Sequence, residues 1–275
     1  MGRVTVPARA PGRWAEYVAL GDSRAAAPTR ISLIRRADGR SGHGYPHELA
    51  ALLRPLRFED RSSVGATTEH LFRRGQVRYQ GLRRVVLAPQ GAALNAGTDL
   101  VTISIGGNDI RWHALIRGAF ARRPGAAGLG SGPGSARRID AALAGLGVRL
   151  TVALAEVRGR APAATVLLVG HGGYYRRPGV PHSAAPRSEL SLRAAAEFFD
   201  ALDAVYLAAC DRTGVRFVPV LDIARGHDGA ARPAERWFEG NTSFSRTPAR
   251  HPTALGSAAL AAHLATTLTR AMVRP

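Results

Sequence analysis

Lysine is missing from this sequence altogether: each of the 38 basic side chains is an arginine, set against 20 acidic ones for a formal net charge of +18. A field of that sign attracts anionic partners. The arginines are scattered rather than gathered in a block, however, and aromatic residues make up only 6% of the chain. That is too few for a base-stacking surface, so no specific nucleic-acid partner is expected. Abundant Arg and Ala without Lys is also what GC-rich coding produces. Cysteine is almost as scarce. Cys210 stands alone, so no intrachain disulfide can form, which suits a reducing compartment. It lies in the helical apolar pattern AVYLAACDRTG and reads as a buried structural thiol. No run of about 18 apolar residues occurs, which argues against a membrane-spanning helix. The opening residues MGRVTVPARAPGRWAEY are basic but hold no apolar core of a secretory leader. The expected location is cytoplasmic, unless a leader was removed.

Familiar motifs are missing too. There is no P-loop and no G-x-S-x-G elbow. HELAA at 47–51 has Ala51 where a zincin needs its second histidine, and nothing in the spacing of His43, His47 and His70 fixes a ligand geometry. No metal and no cofactor is expected. The segment 118–135, GAFARRPGAAGLGSGPGS, is glycine-rich, but no strand leads into it and no acidic ribose ligand follows, so it is not a dinucleotide fingerprint. It reads as a mobile loop and a candidate lid. GHGG at 170–173 reads as a turn at a strand end.

What is present alternates. Short apolar runs end in turn-forming residues: EYVALGD (16–22), RFEDRSSVG (57–65), TDLVTISIGGND (98–109), ATVLLVGHGG (164–173) and GVRFVPV (214–220). Helical spacing occupies 45–56, 136–161, 188–214 and 251–272, with Gly214 as a C′ residue and Pro252 in the first turn of the last helix. Near-continuous apolar strands between amphipathic helices indicate an α/β fold, a parallel sheet covered on both faces. Ligands of such sheets bind beyond the C-terminal strand ends. Residues 222–250 look irregular. No repeat or linker divides the chain, so 1–275 is read as a single domain with a flexible N-terminus over about 1–13.

Four of those strand ends and helix starts carry chemistry. Gly21-Asp22-Ser23 closes the first run, Gly65 follows the second, Asn108 the third, and His251 opens the last helical stretch. Any one of them has a bland explanation, Ser23 as a helix N-cap above all. The ordered set YVALGDS, GATT, LVTISIGGNDI and HPTALG resembles the SGNH, or GDSL, hydrolase family, and within it the actinobacterial secreted-lipase branch. The resemblance covers almost the whole chain. It implies a flavodoxin-like three-layer α/β/α sandwich with a central parallel sheet of about five strands. It also implies a serine ester hydrolase, esterase- or lipase-like, working through an acyl-enzyme on Ser23. His251 would be the general base. The oxyanion hole would comprise the Ser23 and Gly65 N–H groups and the Asn108 side chain. The chemistry is coherent: a serine hydroxyl needs an adjacent base, and an oxyanion needs fixed donors. Asp109 is expected to hold its loop rather than to react.

The chain also departs from that family. Pro248 stands where the family's triad aspartate would be, leaving a Ser–His dyad whose imidazole is oriented by the carbonyl of Pro248 or a neighbour. Asp228, Glu235 and Glu239 are the alternative orienting groups, and His227 and His263 are weaker rivals as base. Asp38 and Ser63 occupy positions where the resemblance implies one of several cysteine pairs. Arg24 directly follows the nucleophile; it either extends to solvent or contacts an acidic substrate group, and Arg176, like Arg177, is a second candidate substrate contact. The expected partner is a small-molecule ester or acyl substrate. Two other functions stay open: transfer of the acyl group to an alcohol in natural-product tailoring, and non-enzymatic binding of an anionic partner.

Overall fold

The computed structural model describes residues 14–116, 133–177 and 189–273. Five strands form one sheet in the order β2-β1-β5-β6-β7: β1 (Glu16–Gly21), β2 (Arg57–Asp60), β5 (Leu100–Ser104), β6 (Thr165–Val169) and β7 (Arg216–Val218). All four pairings are parallel. β1 and β5 are buried along their whole length, which is why they read as unbroken apolar runs. A buried Tyr17 hydroxyl and Thr102 hydroxyl meet at 2.7 Å between them, satisfying both polar groups.

β1 leads into the single turn α1 (Ser23–Ala26), then α2 (Arg30–Arg35) and α3 (Tyr45–Leu53), before β2. After α4 (Glu69–Phe72) comes an antiparallel hairpin, β3 (Gln76–Gln80) and β4 (Arg83–Leu87), separate from the main sheet. The sequence reading missed this hairpin. α5 (Trp112–Leu115) follows β5; α6 (Pro133–Arg160) and α7 (Glu189–Thr213) connect β5 to β6 and β6 to β7; α8 (Ala254–Val273) closes the fold. From β1 the chain moves one way across the sheet, and from β5 the other. Right-handed crossovers therefore set the two groups of helices on opposite faces. α6 packs against α7, and α8 packs against α3. The result is a three-layer α/β/α sandwich around a contiguous hydrophobic cluster.

Gly214, at φ +65°, ends α7 as expected. Pro252 does not lie in the first turn of α8, which begins at Ala254; it pairs instead with Phe238 in an antiparallel bridge. Cys210 is buried on α7, and burial pushes its thiol up to about 12. The flexible-terminus reading of 1–13 and the loop over 118–132 fall outside the described residues, while 133–135 open α6. Among the described residues no helix is long and apolar enough to cross a membrane.

Candidate active site

The end of β1 is pinned on every side. Gly21 donates its N–H to Gln90 Oε1 at 2.7 Å and accepts from Gln90 Nε2 at 2.9 Å. Its carbonyl also takes the Ser63 N–H at 3.0 Å, and the next residue, Asp22, donates to the Ser104 carbonyl at 2.8 Å. Glycine is needed here for two reasons. The φ of Gly21 is +143°, and a Cβ would lie 2.5 Å from the Ser104 carbonyl oxygen. The chain then turns at once into α1. Asp22 is the N-cap, its Oδ1 accepting from the Arg24 N–H at 2.9 Å. That cap serves the second helical residue and leaves the N–H of the first, Ser23, without an intrahelical acceptor. Burial pushes the Asp22 carboxyl up to about 7; the hydrogen bond from the Arg24 N–H and the Arg24 charge oppose the rise.

Gly65 sits in the turn beyond β2 at φ +80°, a left-handed conformation that side chains disfavour. Among the described residues its N–H is taken up by no other group. Beyond β5, Asn108 Nδ2 donates to the Ala66 carbonyl at 2.9 Å, which ties this turn to that of Gly65. The amide has a second N–H to offer. Asp109 accepts from the Thr68 N–H at 3.0 Å and from the Thr68 hydroxyl at 2.5 Å, so it braces the loop, as its reading anticipated. Gly107 is pressed against His171: a Cβ there would meet the imidazole Cε1 at 2.5 Å. His171, from the GHGG turn after β6, is only 5% exposed, and burial holds its ring well below the ordinary histidine range.

The His251 Nδ1 lies 2.9 Å from the Ala249 carbonyl. The nearer orienting carbonyl is thus the neighbour of Pro248 rather than that of Pro248 itself. A carbonyl only accepts, so Nδ1 carries the proton and Nε2 presents a lone pair. Burial lowers the imidazole's proton affinity; the Ala249 and Pro248 carbonyls pull the other way, and the Arg250 charge reinforces burial. The alternative carboxylates are committed elsewhere. Asp228 accepts from the Ala230 N–H, Glu239 binds Arg236 and the Ser245 hydroxyl, and Glu235 is exposed. Of the rival histidines, His227 stacks on Trp237 at 4.4 Å, and His263 lies within α8.

Arg24 does not extend to solvent: it is 1% exposed. Its Nη1 donates to the Tyr174 hydroxyl at 2.7 Å. Arg176 lines a small cleft of about 40 Å³ with Tyr175, Asp228 and Asn241, and Arg177 is engaged by Asp200 at 2.8 and 3.0 Å. His47 faces Asp60 at 3.3 Å and His70 accepts from the Thr67 N–H, while no three such side chains converge as metal ligands among the described residues. Gln90, His171, Tyr174 and Phe238 were not foreseen as neighbours of the site; only the GHGG turn, which contains His171, left a signal.

A parallel sheet of this order, with a Gly-Asp-Ser turn and a Gly-Gly-Asn turn at neighbouring strand ends, defines a three-layer α/β/α protein whose candidate site lies at the C-terminal edge of the sheet. Comparison with known proteins is specific. Residues 19–259 match the model of the GDSL-like lipase/acylhydrolase family. Lipase 2 of Streptomyces coelicolor is 32% identical over 269 residues, spanning 90% of this chain and 84% of that protein. The crystal structure of the extracellular lipase from Streptomyces rimosus superposes with a TM-score of 0.69 at 26% identity, covering 92% of this chain and 99% of that one. The phospholipase A1 of Streptomyces albidoflavus NA297 shares the fold, with a TM-score of 0.70 at 22% identity over 92% of this chain and 99% of its own. The chain belongs to the GDSL-like lipase/acylhydrolase family and is a carboxylic ester hydrolase acting on small-molecule esters.

Proposed function

We propose that hydrolysis runs through an acyl-enzyme on Ser23 with His251 as its base. The His251 Nε2 takes the hydroxyl proton as Ser23 Oγ attacks the ester carbonyl, then returns it to the departing alcohol. Water repeats the sequence in reverse to release the acid. The Ser23 and Gly65 N–H groups and the second Asn108 amide N–H receive the oxyanion. The observation that carries this reading is the 2.9 Å contact between His251 Nδ1 and the Ala249 carbonyl. It sets the tautomer a general base requires without a third carboxylate, and it accounts for Pro248 standing where an aspartate was expected.

Acyl transfer to an alcohol would need a site closed to water. The similar proteins are lipases, which supports hydrolysis as the reading taken. The Streptomyces rimosus relative is extracellular. For this chain we keep the reading of a reducing compartment, supported by the single buried thiol of Cys210. Fractionation of the producing cells decides it: activity recovered in the culture fluid would overturn that location.

The mechanism is tested by fluorophosphonate labelling and by substitution. The label is expected on Ser23, and Ser23→Ala and His251→Ala are each expected to lower turnover by about 10⁴-fold or more. A label on another residue, or full turnover in Ser23→Ala, would overturn it.

A further inference from the structure

Arg24 is a buried cation one residue from the proposed nucleophile. It is 1% exposed, and its Nη1–H is given to the Tyr174 hydroxyl at 2.7 Å. Its guanidinium carbon lies 4.6 Å from the centre of the Phe238 ring and 5.2 Å from that of Tyr174, and the two rings meet edge to face at 5.1 Å. Tyr174 follows the GHGG turn. Gly173 of that turn, at φ +90°, makes room for Phe238: a Cβ would lie 2.6 Å from Phe238 Cε2. Phe238 in turn belongs to the segment that holds the base. It bridges to Pro252; Glu239 donates its N–H to the His251 carbonyl at 2.9 Å, and Thr253 donates to the Trp237 carbonyl at 2.8 Å. Arg24 belongs to α1, where its backbone N–H is held by the Asp22 cap at 2.9 Å, one residue from Ser23. One side chain therefore spans from the turn that carries Ser23 to the strand-like segment that carries His251.

We propose that Arg24 is a positioning residue that sets the separation of Ser23 and His251, through Tyr174 and Phe238. The inference rests on the Ser23–His251 reading. A guanidinium suits the task because it donates in its plane and stacks through its faces, fixing direction as well as distance. Lysine offers a hydrogen bond to Tyr174 but no plane to lie over Phe238. Aliphatic residues offer neither. A fully buried arginine is expensive to keep even with the Asp22 and Asp203 carboxyls near enough to feel its charge, and holding two catalytic segments in register is a reason for keeping it.

The test compares Arg24→Met, Arg24→Lys and Tyr174→Phe by steady-state kinetics on a soluble aryl ester and by the rate of fluorophosphonate labelling. Arg24→Met is expected to lower kcat and the labelling rate together by about 100-fold, with KM within about twofold, because small misplacements cost that much in a positioned reaction. Arg24→Lys should recover about tenfold of the loss, and Tyr174→Phe should lose about tenfold in kcat. Wild-type labelling at Ser23 combined with wild-type kcat in Arg24→Met would overturn this inference alone, as would a loss confined to KM. Wild-type labelling away from Ser23 would overturn the reading beneath it. Should Arg24→Met fail to fold, Tyr174→Phe, which removes one oxygen, decides the matter: unchanged kcat there overturns the proposal.

Discussion

Replacing Gly21 by alanine is the most severe small change the structure offers. The added methyl would sit 2.5 Å from the Ser104 carbonyl oxygen and 3.0 Å from the Ser104 nitrogen, both backbone atoms of the central strand β5. Neither can rotate away. The residue must also hold φ at +143°, where a side chain is strained by roughly 1–3 kcal/mol. Relief requires the end of β1 to part from β5 at the Asp22 N–H to Ser104 contact of 2.8 Å, and from Gln90, which precedes β5, at the contacts of 2.7 and 2.9 Å. Buried hydrogen bonds of this kind contribute about 1 kcal/mol each. Strain plus one or two lost bonds gives roughly 2–5 kcal/mol, or about a 10 °C fall in melting temperature for a chain of this size. Gly42→Ala is the control: its φ is +81°, but nothing lies within 4 Å of the added atom. Only the backbone term remains, about 1–2 kcal/mol and some ~3 °C. Scanning calorimetry of both variants, with ester turnover on the folded material, tests the account. Gly21→Ala should also lose most activity, because Ser23 rides on the displaced turn. If the two variants melt together, or Gly21→Ala keeps full turnover, the close approach of β1 to β5 is not what demands glycine.

Two further outcomes follow from the site. Asn108→Ala should lower kcat by ~10²–10³ with little change in KM, as for loss of one oxyanion donor; a change confined to KM would show the amide to be a binding group. The acid limb of kcat/KM should fall below pH 6.5, since burial depresses His251 from that ordinary value and catalysis needs it neutral. The histidine share of stability moves in the same sense. Both His251 and His171 are depressed in the folded state, so the unfolded chain binds more protons as pH falls below 6.5. Their contribution is present above that value and is lost progressively beneath it. Asp22 and Asp203 act in the opposite sense in the same window, because their carboxyls are raised to about 7 in the folded state and favour folding as pH falls. The histidine share is therefore read as a difference: between about pH 7 and about pH 5 the urea midpoint of His251→Gln should move upward relative to that of the parent, and an equal or downward relative shift would contradict the assignment.

β1, β5 and β6 were legible because parallel strands buried on both faces are apolar almost without a break; the edge strands β2 (RFED) and β7 (RFV) are less buried and were marked chiefly by the turn residues that bound their runs. The hairpin was not. Gln76–Gln80 and Arg83–Leu87 carry Gln or Arg at half their positions and leave Val77, Tyr79 and Val86 exposed, so no buried apolar face marks them. Pro252 shows how local grammar misleads. A proline just before a helical run usually sits in the first turn, yet here the bridge to Phe238 takes it, and α8 starts two residues later. Ser23, Gly65, Asn108 and His251 could be singled out because each lies at an element end with a local signature. The environment of Arg24 could not be, because Tyr174 lies 150 residues away and nothing local links the two.

The missing cysteines and the missing lysines meet in one place. Asp38 and Ser63, where a cysteine pair was implied, are neighbours: Val64 donates its N–H to the Asp38 carbonyl at 2.9 Å, and the Ser63 hydroxyl reaches the same carbonyl at 3.4 Å. The Asp38 carboxylate is gripped by Arg36 at 3.0 Å and by Arg40 at 2.7 Å. Arg78 ties the hairpin to the Ala37 carbonyl at 3.0 Å. Farther along, Arg30 reaches the carbonyls of Ser243 and Ser245 at 2.6 and 2.9 Å, holding the approach to the His251 segment against α2. A half-exposed ion pair is worth only about 0–1 kcal/mol, and a hydrogen bond to a carbonyl about 1 kcal/mol. Four or five such contacts around one loop together approach the ~2–4 kcal/mol of a disulfide. Lysine could not replace these arginines without loss, because a point charge cannot grip a carboxylate with two N–H groups or fork between two carbonyls. Arg30, Arg36, Arg40 and Arg78 therefore serve as structural ties, a use for arginine that needs no anionic partner.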